Sequence, residues 1–313
     1  MKRVAIVSLL LSVACFTFAQ AGGAGQNKTA PQATAQQPPA GTQAAPAKHP
    51  PQAKTQAEFD AFKTASANQD PATLEKAADD FAAKFPDSEL RIILYKKAME
   101  MYQNANNADK MMEMARKALA IDPDDPVALL GVSQVLTERT RDSDLDKDQR
   151  LAEARQDAEK AIQTAETDVV LPPSAPPEQA EAYKNILRSS AYSILGTLDL
   201  NQNKFVEAET NLRKSIDIYP QQPDPTTVLR LSIALDRQNK YPEALTVANH
   251  AVELTQEGTA AGNLARRERD RLVQLTGGKP TGSPGAGSSN PAQPGTPPAN
   301  APNPGQTTTP PKQ

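Results

Sequence analysis

Two stretches of this chain repeat each other at an offset of 36 residues: Asn203-Lys204-Phe205 with Glu207-Ala208, and Asn239-Lys240-Tyr241 with Glu243-Ala244. Upstream of each, Leu195-Gly196 is matched by Leu231-Ser232 at the same offset. A register held over this length constrains the fold strongly. It marks a supersecondary unit that cannot bury its apolar face alone and must stack on its neighbours. Apolar residues recur at helical spacing throughout, β-branched runs are almost absent, and proline falls at element boundaries, so each unit reads as helix, turn, helix. Asp70-Pro71, Asp125-Pro126 and Asp224-Pro225 each supply an acceptor for free backbone N–H groups, followed by a residue already shaped for the first helical turn. The pattern predicts eleven helices: 55–68, 71–84, 88–105, 107–121, 126–140, 149–166, 177–202, 204–218, 225–238, 241–256 and 260–275. The predicted fold class is all-α, a solenoid of stacked helical pairs.

The register resembles the tetratricopeptide repeat, a helix-turn-helix with small residues where its helices cross and proline at its exit. In 189–222, Tyr192, Leu195, Gly196, Phe205, Ala208, Leu212, Ser215 and Pro220 fall on that family's places. In 225–258, Val228, Leu231, Ser232, Tyr241, Ala244, Ala248 and Ala251 do so, with Gln256 in place of the exit proline. The unit 92–125 keeps Tyr95, Tyr102, Ala115, Ala118 and Pro123 but has Met111 where a small residue is usual. The unit 126–168 carries Leu129, Val132, Ser133 and Leu136, then an insertion before Ala154, Ala158 and Ala161 resume the second helix. Residues 55–88 look like a degenerate first repeat, and 260–275 like a polar capping helix whose arginines are solvated.

Outside 55–276 the chain changes character. Lys2 and Arg3, an apolar run from Val4 to Phe18 and Ala19-Gln20-Ala21 make 1–21 a signal segment, with Gly22 as the expected mature start. The expected location is therefore periplasmic or secreted. Cys15 within that segment raises a lipid-anchor reading, which Ser12 and the apolar Phe16-Thr17-Phe18 match poorly. Residues 22–54 and 277–313 hold no acid and few large apolar residues; their composition predicts disordered Pro-rich spacers. All 37 acids and 27 of the 34 bases lie in 55–276, a net charge of −10 that disfavours nucleic acid and anionic lipid as partners.

Little in the sequence points to catalysis. The two histidines are His49, in the linker, and His250, on a second helix; no Ser-His-Asp or Cys-His set, phosphate loop or HExxH is present. No cofactor is expected. Asp142, Asp144, Asp146, Asp148 and Glu153 are spaced like the ligands of an EF-hand calcium loop, but Lys147 replaces its glycine and Arg141 and Arg150 oppose the acids. Met99, Met101, Met111, Met112 and Met114 cluster within 16 residues and read first as core filler, with a pliable groove or copper(I) ligation as the other readings.

The resemblance implies a scaffold whose concave groove, lined by first helices, holds a peptide or helix of another protein. Repeat geometry places Lys96, Glu100, Gln103, Leu130, Gln134, Ser193, Thr197, Asn201, Leu229, Ile233 and Asp236 on that groove. The other reading is a structural envelope tether acting through the Pro-rich tails.

Overall fold

A computed structural model describes residues 49–278 apart from 170 and 172–174. The expected signal segment with Cys15, most of the 22–54 linker and nearly all of the 277–313 tail lie outside the described residues. Eleven helices run in order: α1 (Gln56–Ser66), α2 (Pro71–Lys84), α3 (Arg91–Asn104), α4 (Ala108–Leu119), α5 (Pro126–Arg139), α6 (Lys147–Thr167), α7 (Pro177–Asn201), α8 (Phe205–Ile218), α9 (Pro225–Arg237), α10 (Tyr241–Glu253) and α11 (Ala260–Leu275). Every expected helix is present; the boundaries differ by at most three residues.

The three Asp-Pro pairs act as the sequence implies. The carboxylates of Asp70, Asp125 and Asp224 accept from the backbone N–H groups of Thr73, Ala128 and Thr227 at 2.8, 2.9 and 2.8 Å. The repeated asparagines also have a local cause. Asn106, Asn203 and Asn239 stand at the turn inside a helical pair with φ of 55°, 58° and 62°, a left-handed conformation that asparagine enters more readily than other side-chain-bearing residues.

Each helix packs on the one before and after it, and α1, α3, α5, α7, α9 and α11 also touch in succession, whereas the even helices make no comparable contacts with each other. The odd helices are thus the inner, closer-packed layer, and the stack curves around them. Small residues allow this approach. A Cβ on Gly196 would stand 2.6 Å from Leu212 Cγ and 3.1 Å from the Leu212 backbone nitrogen, so α7 and α8 cross backbone to side chain. At the equivalent crossings the Ser133 hydroxyl donates to the Ala154 carbonyl (2.6 Å) and the Ser232 hydroxyl to the Ala244 carbonyl (3.0 Å), satisfying polar groups in an otherwise apolar seam.

Met99, Met111 and Met114 are buried in that seam and Met101 and Met112 pack against it, so the methionine cluster is core. Helix α11 packs on α10 and α9, and its arginines are not simply solvated as the sequence suggests: Arg271 reaches the buried carboxylate of Asp236 at 2.6 Å. No described helix is long and apolar enough to cross a membrane.

Candidate functional site

The inner surface of α3, α5, α7 and α9 forms the candidate groove. All eleven residues expected there lie on these four helices, but many are committed to holding the layer together. Lys96 of α3 bonds Asp125 at the start of α5 at 2.6 Å. The Gln103 amide meets Gln134 at 3.3 Å, joining α3 to α5, and the Asn201 amide reaches the Thr137 carbonyl at 3.4 Å, joining α7 to α5. Ser193 bonds the Thr227 hydroxyl at 2.7 Å, joining α7 to α9, while Thr197 donates to the Ser193 carbonyl at 2.7 Å. Leu130 and Leu229 are 8 % and 5 % exposed and belong to the core, and Ile233 packs against it. Asp236 faces the cap through Arg271.

That accounting leaves Glu100 half-buried on α3, without a hydrogen bond or ion pair among the described residues. Two further groups join it that sequence spacing does not indicate. Tyr183 sits on the first turns of α7, which at 25 residues is far longer than α5 or α9 at 14 and 13. These turns precede the repeat register that begins near 189, so no repeat position flags them. Tyr183 packs into the cluster of Leu129, Leu130, Leu187 and Ala191. Burial, and then the carboxylates of Asp125 and Glu100, push its phenol above the usual range, so it remains a neutral donor.

Arg230 of α9 is the second. Its side chain is half-buried and makes no hydrogen bond or ion pair among the described residues. Burial lowers its pKa, while Asp224 and Glu138 of α5 act in the opposite direction. The nearby Glu138 carboxylate accepts from the Gln134 amide instead, at 3.3 Å. Glu100 and the neutral Tyr183 thus stand together toward α3, and Arg230 of α9 stands within reach of the Asp224 and Glu138 carboxylates without bonding either. Both places have hydrogen-bonding capacity that the chain itself leaves unused.

The other candidate chemistry does not converge. The acids of the inserted loop are spent on bases: Lys147 bonds Asp142 at 2.6 Å, and Arg150 bonds Asp146 at 2.9 Å and approaches Asp144 at 3.6 Å. Among the described residues no three acids, histidines or cysteines gather as metal ligands. His250 is exposed on α10, and His49 lies 3.7 Å from Glu89 at the N-terminal end. Asp157, half-buried on α6, is the carboxyl most displaced toward neutrality: burial and then Glu153 raise its pKa to about 6, against the pull of Arg116 and Lys160. It stands on an outer helix, away from the groove.

No protein-family model matches the sequence, and no curated protein matches it. Among solved structures the chain is similar to PilF of Pseudomonas aeruginosa, at 16% identity over 71% of this chain and 85% of that one, TM-score 0.49. It is similar to PilW, described as a widely conserved type IV pilus biogenesis factor, at 20% identity over 71% and 87% of the two chains, TM-score 0.47. It is similar also to YrrB, described as a tetratricopeptide protein with an unusual peptide-binding site, at 16% identity over 64% and 85%, TM-score 0.41. With every one of these scores below 0.5, the chain's own helix pairing defines its fold as a tetratricopeptide-type solenoid.

Proposed function

We propose that this chain is an exported protein-interaction scaffold that holds a segment of a partner protein along the inner face of α3, α5, α7 and α9. The observation carrying this reading is the pair of unspent polar places on that face. Burial of the Arg230 guanidinium costs stability that Asp224 and Glu138 oppose without bonding it, and a partner carboxylate in direct contact would offset more of that cost. Glu100 and the Tyr183 hydroxyl offer the complementary contact to a cationic or amide group. The mixed polarity suits modest, reversible binding in which charge fixes the direction of the bound segment. Fold alone does not name the partner. The export element of this reading rests on the 1–21 segment, with lipid attachment at Cys15 as its lesser form.

The test has two arms. The full chain, immobilised, is exposed to envelope extract from the source cells beside its Glu100→Lys, Arg230→Glu and Glu257→Lys variants. A partner retained by the parent and by Glu257→Lys, which lies outside the groove, but lost by the two groove variants supports the reading. Equal retention by all four moves the interaction away from the groove. N-terminal sequencing of the chain recovered outside the cytoplasm should begin at Gly22, and recovery of the intact chain from the cytoplasm refutes export.

A further inference from the structure

Leu145 stands wholly in solvent, at 107 % relative exposure, whereas the next most exposed large apolar side chain among the described residues, Val206, reaches 63 %. It occupies the tip of the inserted loop between α5 and α6, and that loop is locked. The Arg141 backbone N–H donates to the Asp144 carboxylate at 2.9 Å, and the Asp144 N–H returns to the Arg141 carbonyl at 3.1 Å. The Lys147 N–H donates to the Asp144 carbonyl at 3.2 Å, and the ion pairs of Lys147 and Arg150 brace both flanks. The leucine is held outward in advance, so docking it orders little chain. The neighbours of Leu145, Asp144 and Asp146, are both held by Arg150, at 3.6 and 2.9 Å, whereas Arg139 and Arg141 at the start of the loop are exposed and without an ion pair among the described residues.

A complementary feature lies elsewhere on the molecule. Because α7 is 25 residues long and α8 only 14, the start of α7 stands clear of the end of α8 and leaves an open cleft of about 500 Å³. Its apolar lining comes from Pro177, Ile218, Tyr219 and Pro220; at its rim Glu178 is exposed without an ion pair among the described residues, and Glu181 is exposed and bonded to Lys184 at 3.1 Å. The loop cannot reach this cleft within one chain. The bond from Asn201 to Thr137 places the end of α7 beside the end of α5, where the loop begins. The cleft lies at the opposite end of α7, about 36 Å away at 1.5 Å per residue. Knob and cleft occupy opposite edges of the solenoid.

We propose that Leu145 docks into this cleft on a second copy of the chain, with Arg139 and Arg141 meeting Glu178 and Glu181. A folded region carrying net charge −10 repels its copies in most orientations, so a local meeting of opposite charges selects this one. The contact joins unlike surfaces, so each bound copy still offers a free knob and a free cleft, and association grows head to tail. One buried leucine and a charged rim make a small interface, with a Kd on the order of 100 µM.

The test is sedimentation velocity on the full chain from about 10 µM to about 1 mM, bracketing that Kd. The parent's weight-average sedimentation coefficient should climb through this range without a plateau at dimer. Leu145→Asp, and separately the double variant Glu178→Lys with Glu181→Lys, should each lower the association constant at least tenfold. All three positions are exposed, so unchanged circular dichroism is the check on folding. Mixing the two variants restores one intact knob facing one intact cleft, and the mixture should form dimers that grow no further. A parent that stays monomeric, a Leu145→Asp variant that associates like the parent, or a mixture that does not dimerise would overturn the proposal. The first outcome would leave the knob to a different protein. The second would place self-association in another part of the chain.

Discussion

Gly131 and Gly196, both on inner helices, should respond oppositely to the same methyl group. At Gly196 an added Cβ would lie 2.6 and 2.7 Å from Leu212 Cγ and Cδ2 and 3.1 Å from the Leu212 backbone nitrogen. Leu212 is fully buried among Ala208, Leu231 and Leu235, so its side chain has nowhere to swing and α8 must slide on α7. Overpacking of this kind costs about 1–3 kcal/mol, and alanine returns about 1 kcal/mol of helix propensity relative to glycine. Gly196→Ala should therefore lose on the order of 1 kcal/mol, a fall in Tm of about 2–4 °C for a folded region of this size. At Gly131 the nearest atoms are Met99 Sδ at 2.7 Å and Ala115 Cβ at 3.3 Å. A thioether is pliable and can turn aside, so the propensity gain dominates and Gly131→Ala should be neutral or stabilising by about 0.5 kcal/mol. Thermal and urea unfolding followed by far-ultraviolet circular dichroism read both variants. A Gly196→Ala variant as stable as the parent would refute the claim that backbone approach at the α7–α8 crossing excludes a side chain.

Three other outcomes follow from local geometry. Asn239→Ala should lose about 1 kcal/mol in urea unfolding, while Asn239→Gly should lose nothing, because φ of 62° penalises an ordinary side chain and not glycine. Asp157 binds its proton more tightly in the folded chain, so the stability it contributes is present at low pH and lost as pH rises through about 6. Asp157→Asn should accordingly raise the melting temperature at about pH 8 and leave it nearly unchanged at about pH 4, and a gain of equal size at both would sink the assignment. Arg271→Ala strands the buried Asp236 carboxylate, bonded at 2.6 Å in the parent, and should lose about 1–2 kcal/mol. The double variant with Asp236→Asn should recover part of that loss in a double-mutant cycle.

Helix positions were legible in the sequence because their causes are local. Asp-Pro starts, asparagine turns and 3.6-residue periodicity act within a few residues, and the 36-residue offset of Asn203 and Asn239 forces the units to stack. What each inward side chain is free to do was not legible. Lys96, Gln103, Ser193, Asn201 and Asp236 occupy groove helices, yet their partners lie 29, 31, 34, 64 and 35 residues away in sequence, and only stacking brings those partners within bonding distance. The extra turns of α7 bring Tyr183 beside Glu100 and open a cleft past the end of α8, and neither follows from repeat spacing. Sequence determined the helices and the layer they form; tertiary packing decided which charges are spent inside that layer and which, such as Arg230, are left without a bonded partner among the described residues, because pairing between distant residues depends on stack geometry that no local window contains.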